Sequence, residues 1–135
     1  MDRRSILLAE EDEASADLIG IAFKEAGAEN PVDVVANEEA TTAYLDRKIR
    51  EGSVSLPVLI ILGLRIADDF AVLGWIKTQP ELVGIPVFVF SGEVADYDGR
   101  AREVGASYYA AKPMGYGELA VLVRDVTNRW LTKQS

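Results

Sequence analysis

Five times along the chain a short run of branched and aromatic apolar residues gives way to a longer stretch of helical period, and few folds accept that alternation. The runs are Ser5 to Ala9, Pro31 to Ala36, Val58 to Leu62, Ile85 to Phe90 and Ser107 to Ala111. The third is almost wholly apolar, as a strand is when both faces of a parallel sheet are covered. After the first run, Ala14, Leu18, Ile21 and Ala22 recur at helical spacing, and Gly27 offers the left-handed residue that ends such a helix. Asn37 is a good N-cap for a second helix from Glu38 to Arg50. Phe70, Leu73, Ile76 and Lys77 give a short third helix closed by Pro80. The fourth, from about Val94 to Val104, keeps the period at Tyr97, Ala101 and Val104, but Gly99 interrupts it at a cost of roughly 1 kcal/mol relative to alanine. Leu119, Leu122, Val123, Val126 and Trp130 form the clearest amphipathic stripe in the chain. Five successive β-α units predict an α/β fold, doubly wound, with one parallel sheet between two layers of helices.

The 135 residues predict one domain, 1–135, large enough to bury a proper core. The longest apolar run, Val58 to Leu64, is far too short to span a bilayer. At the N-terminus the apolar stretch meets Glu10-Glu11-Asp12-Glu13 within a few residues, which no cleavage signal tolerates, so a cytoplasmic protein is expected. The absence of cysteine excludes disulfides and thiol chemistry. The absence of histidine removes the Ser-His-Asp triad, an imidazole metal site and phosphohistidine transfer on this chain. A formal net charge of −8 argues against nucleic acid as a partner.

Polar features fall at successive strand ends: Glu11 and Asp12 after the first, Gly63 to Arg65 after the third, Ser91 after the fourth and Lys112 after the fifth. Doubly wound sheets bind ligands at the carboxyl ends of their strands, near the point where strand order reverses. Singly, each feature has an ordinary explanation. An acidic pair at a helix start answers the helix dipole, and Ser-Gly or Lys-Pro after a strand is commonly a turn. Their joint placement favours one site.

The pattern resembles the receiver domain of two-component response regulators, and the resemblance covers essentially the whole chain. Ile6-Leu7-Leu8-Ala9-Glu10-Glu11-Asp12 is similar to that family's opening strand and metal-binding acid pair, which maps onto Glu11 and Asp12. Phe70 to Lys77 resembles its third helix, and Ile85-Pro86-Val87-Phe88-Val89-Phe90-Ser91 its fourth strand and phosphoryl-contacting hydroxyl. Val104-Gly105-Ala106-Ser107-Tyr108-Tyr109-Ala110-Ala111-Lys112-Pro113 is the most specific match, with the phosphoryl-contacting lysine at Lys112 and the switch aromatic at Tyr109. The resemblance implies a flavodoxin-like three-layer sandwich with sheet order 2-1-3-4-5 and no output domain. It also implies a protein partner (a sensor histidine kinase, a target protein or a second copy) met through the fourth helix, fifth strand and fifth helix. Tyr97, Arg100, Tyr109 and Met114 to Tyr116 would lie near that surface.

The family's phosphorylated aspartate belongs at position 63, where this chain has glycine. A site lacking that carboxylate has no phosphoacceptor. It would bind Mg2+ weakly at most, through Glu11, Asp12 and the backbone carbonyl of Arg65. The loop Arg65 to Asp69 is shorter than the family's and carries Ala67 in place of a proline. Asp68 and Asp69 read as solvated helix-start acids rather than substitute acceptors. The expectation is a non-enzymatic, phosphorylation-independent interaction module. The alternatives are an ordinary receiver in which a one-base change replaced the aspartate at 63, or a small-anion sensor using the vacated space beside Lys112, Ser91 and Arg65.

Overall fold

The computed structural model describes residues 4–91, 107–111, 113 and 115–131, with the backbone alone for Ile66, Ser91, Tyr109 and Ala111. Five parallel strands, β1 (Ile6–Ala9), β2 (Val32–Val35), β3 (Leu59–Leu62), β4 (Val87–Ser91) and β5 (Tyr108–Ala111), form one sheet in the order β2-β1-β3-β4-β5. Four helices are described: α1 (Glu13–Glu25), α2 (Glu38–Glu51), α3 (Ile66–Lys77) and α4 (Tyr116–Trp130). The strands' period of two explains why the sheet carries helices on both sides. Leu7, Ala9, Ile60, Leu62, Val87 and Val89 point into one core, closed by Tyr44 and Leu45 of α2 and by Val72, Leu73 and Ile76 of α3. The intervening residues Ile6, Leu8, Leu59, Ile61, Phe88 and Phe90 point into the other. Ile19 and Phe23 of α1 and Leu119, Val123 and Val126 of α4 close that side. The architecture is the doubly wound three-layer sandwich that the alternation predicts.

Boundaries follow from local chemistry. Asp12 caps α1 by accepting the Ser15 N–H, and Asn37 caps α2 by accepting the Ala40 N–H at 2.7 Å. Gly27 takes φ +92°, the left-handed turn expected after α1, and Gly52 takes φ +108° after α2. Each strand starts one or two residues later than the sequence suggests, and β2 and β4 begin directly after a proline. Pro31 and Pro86 offer no N–H, yet their carbonyls accept from Ile6 at 2.8 Å and Ile60 at 3.1 Å. The third helix is a larger correction. It begins at Ile66 rather than near Phe70, so the expected loop from Arg65 to Asp69 is mostly the first turn of α3. The predicted helix at 94–104 lies outside the described residues. Among the described residues, no helix is long and apolar enough to cross a membrane.

At the sheet edge, the Tyr44 hydroxyl donates to Asp33 Oδ2 at 2.5 Å and ties α2 to β2. Arg47 and Lys48 each lie 5.4 Å from the Tyr44 ring centroid. Burial first, and then the hydrogen bond and negative charge of Asp33, push the Tyr44 pKa up to about 12. The protonated phenol is therefore favoured by folding. Its contribution is fully present below the unfolded tyrosine pKa of 10.0 and is lost as pH rises through about 12. Alkaline unfolding of the native chain should steepen across that window, with phenolate absorbance that includes a late-titrating component from Tyr44. Tyr44→Phe should flatten the unfolding step and shrink the late component, leaving any part due to Tyr116, whose hydrogen bond to Glu25 also raises its pKa; a variant that keeps the full step would show that another group is responsible.

Candidate functional site

Strand order reverses between β1 and β3, which opens the crevice where such sheets bind ligands. Hydrogen bonding continues one residue past both strands: Glu10 N–H donates to Val35 O at 2.9 Å and Gly63 N–H to Ala9 O at 2.8 Å. Positions 10 and 63 are thereby fixed on either side of the crevice. Glu10 is only 2% exposed, and its Oε2 accepts the Asp12 N–H at 3.0 Å. A Cβ placed on Gly63 would lie 3.3 Å from Glu10 Oε1, 3.4 Å from Ala9 O and 3.6 Å from Phe90 O. Gly63 does not have a positive φ, so nothing in its backbone calls for glycine.

The acids expected to form the metal pair do other things. Asp12 Oδ2 takes the Ser15 N–H at 3.2 Å and the Ser15 hydroxyl at 2.7 Å, as an N-cap, and Glu11 is exposed. The carboxylate at the crevice belongs to Glu10, which the sequence reading passed over. The signal was present: β1 is apolar from Ile6 to Ala9, and Glu10 is the first residue beyond it on the ladder.

Across the crevice, Leu64 N–H donates to Asp69 Oδ1 at 3.1 Å, and Asp69 N–H donates to Arg65 O at 2.9 Å. Asp69 is fully buried, which corrects its expected role as a solvated acid. Arg65 is exposed, and its carbonyl serves the first turn of α3. Ser91 ends β4 opposite Ala111, and Tyr109 lies opposite Val89 on β5. The side chains of Ser91 and Tyr109 lie outside the described residues, as do Lys112 and Met114.

Glu10 and Asp69 are the buried charged residues among those described, and both flank the turn at 63–65. Burying a carboxylate is costly, so their placement here marks the turn as the polar centre of the fold. The donor set matches a divalent cation poorly. Position 63 brings no side-chain oxygen, and among the described residues no three acidic side chains gather closely enough to hold a metal.

No protein-family profile matches the sequence. It is 33% identical over 129 residues to a probable methanogenesis regulatory protein, FilR2, of Methanothrix harundinacea, covering 93% of this chain and 83% of that protein. It is 27% identical over 129 residues to the response regulator Rcp1 of Synechocystis, covering 93% and 88%. Among solved structures, it matches Mn2+-bound Rcp1 with a TM-score of 0.81 at 26% identity, over 96% of this chain and 95% of the other. It matches the phosphorylated cyanobacterial phytochrome response regulator RcpA with a TM-score of 0.84 at 28% identity, over 97% and 96%. The chain belongs to the response-regulator receiver family of two-component signalling.

Proposed function

We propose that this protein is a receiver that signals through protein contacts without aspartyl phosphorylation. One observation supports the reading: position 63, one residue past β3 at the crevice, is a glycine held on the ladder by its N–H to Ala9 O at 2.8 Å, with no side chain to phosphorylate. Phosphoryl transfer needs an acceptor oxygen in line with the donor and cations to offset the developing charge. Asp69 is a poor substitute, since its Oδ1 receives the Leu64 N–H and the side chain is buried. The same reading makes the chain a non-enzyme that holds Mg2+ weakly at most, and a cytoplasmic protein whose partner is a sensor kinase, a target protein or a second copy. Contact through the region of Tyr109 and Tyr116, with Tyr97, Arg100 and Met114, belongs to this proposal, as do the phosphoryl-contact roles of Ser91 and Lys112.

A second reading is favoured by the backbone at 63, which accepts a side chain: an ordinary receiver whose acceptor aspartate was replaced by glycine. The sequence of the gene in its source decides between them. For the native chain, incubation with acetyl phosphate and Mg2+ should leave the intact mass unchanged, and beryllofluoride should leave the amide spectrum unchanged. A stoichiometric phosphoryl adduct would overturn the reading.

A further inference from the structure

The exposed face of α1 departs from the pattern of α2 and α4. On those two helices, exposed charges pair within their own helix: Arg50 with Asp46 at 3.2 Å and Arg129 with Asp125 at 3.1 Å. On α1, Asp17 and Lys24 are exposed, and their side chains form no ion pair among the described residues. They lie two turns apart on one face, beyond the spacing at which side chains of a helix meet. Between them Ile21 is 48% exposed, and Leu18 beside it is 43% exposed. Gly20 sits in the same turn, and a Cβ placed there would meet nothing within 4 Å. Its φ is not positive. Neither packing within the chain nor backbone conformation therefore calls for glycine, which weakens a helix relative to alanine. On that flank, a groove of about 590 Å3 along Gly20, Phe23, Lys24 and Gly27 leaves room beside the helix.

A two-fold axis crossing the helix between Gly20 and Ile21 exchanges positions 17 and 24, which are equally distant from it. An antiparallel α1 from a second copy then sets Lys24 of each chain against Asp17 of the other. Ile21 packs on its symmetry mate with Leu18 alongside, and the bare backbone at Gly20 lets the two helices approach closely. We propose that α1 is the face through which two copies of this chain associate, antiparallel, with the Asp17–Lys24 pairs setting the register. Opposite charges at the two ends of one apolar-centred face fit this occupant, because the face is its own complement. A formal net charge of −8 makes the copies repel at long range, so the local pairs select the orientation in which they meet. One helix on another buries less than the standard interface of about 1,600 Å2, so the dimer forms reversibly with concentration.

Sedimentation equilibrium of the native chain should show the mean mass climbing from monomer towards dimer as concentration rises. Asp17→Lys and Lys24→Asp each set like charges against one another in a self-pair, and each should weaken association at least about 10-fold. Mixing the two variants should restore it to within about 3-fold, because the charges at 17 and 24 are again opposite across the pair. Gly20→Gln replaces glycine with a good helix former and should weaken association about 10-fold without lowering the urea midpoint, which separates a lost contact from a lost fold. A native chain that stays monomeric up to about 1 mM overturns the proposal, whether or not a kinase or target protein binds the same face. A dimer that both charge variants leave intact overturns it too, as does a mixture that fails to associate. A phosphoryl adduct on the native chain would sink the functional reading without touching this test, while a monomeric chain would sink only the role of α1.

Discussion

Phe88→Ala should destabilise the protein by about 3–5 kcal/mol, the range for truncating a fully buried aromatic ring. Phe88 is 1% exposed and is the second residue of β4. Its ring meets Tyr108 at 5.3 Å between centroids and the edge of Trp130 at 5.5 Å with an interplanar angle of 87°. Such pairs add about 0.5–1.5 kcal/mol beyond buried area. The same residue pairs in register with Ile61 of β3 and Tyr108 of β5. Its loss would therefore loosen the join between the switch-point strand, the last strand and the end of α4. Against a typical domain stability of about 5–15 kcal/mol, this is a large fraction. Urea unfolding should show the loss, and the near-ultraviolet dichroism of Trp130 should weaken in parallel. Phe88→Leu should cost less than Phe88→Ala, because it refills part of the void while still losing both ring pairs. A loss below about 1 kcal/mol for Phe88→Ala would mean that the helix and strands repack around the void.

Much of this arrangement is legible in the sequence because it depends on periodicities. Alternation along Ile6 to Ala9 and Leu59 to Leu62 places every second residue on the opposite core, and Asn37 and Gly27 mark helix ends by their own stereochemistry. The start of α3 was illegible for a physical reason. Apolar side chains lie on several sides of that helix, so its first turn shows no stripe, and Asp68-Asp69 reads as loop polarity. The fold buries Asp69 instead, because a backbone N–H at Leu64 needs an acceptor there. Which of the acids after β1 lines the crevice was illegible for a similar reason. Three acidic residues in succession look equivalent in sequence, and only the ladder bond from Glu10 to Val35 sets which enters the crevice. The glycine at 63 needed no structure to be noticed. The structure adds that its backbone does not call for glycine and that a Cβ there would lie 3.3 Å from Glu10 Oε1.

Asp69→Ala should cost about 2–3 kcal/mol, since it removes a buried charged acceptor and leaves the Leu64 N–H without one. The effect should concentrate at the turn. Hydrogen exchange at the Leu64 amide should accelerate strongly, while amides in β1 and β3 slow or quicken only with global stability. Asp69→Asn retains an oxygen in the same place and sheds a buried charge, so the cost should fall to about 1 kcal/mol or less. That ordering separates the hydrogen bond from the charge. If asparagine proves as damaging as alanine, the ionised carboxylate itself is required, and a cationic group must sit close to it in the folded protein. If both variants leave Leu64 exchange at the native rate, the turn is held by the ladder bond from Gly63 to Ala9 alone. Asp69 holds that turn through the Leu64 amide, while Glu10 lies on its other side, with Oε1 3.3 Å from where a Cβ at position 63 would stand.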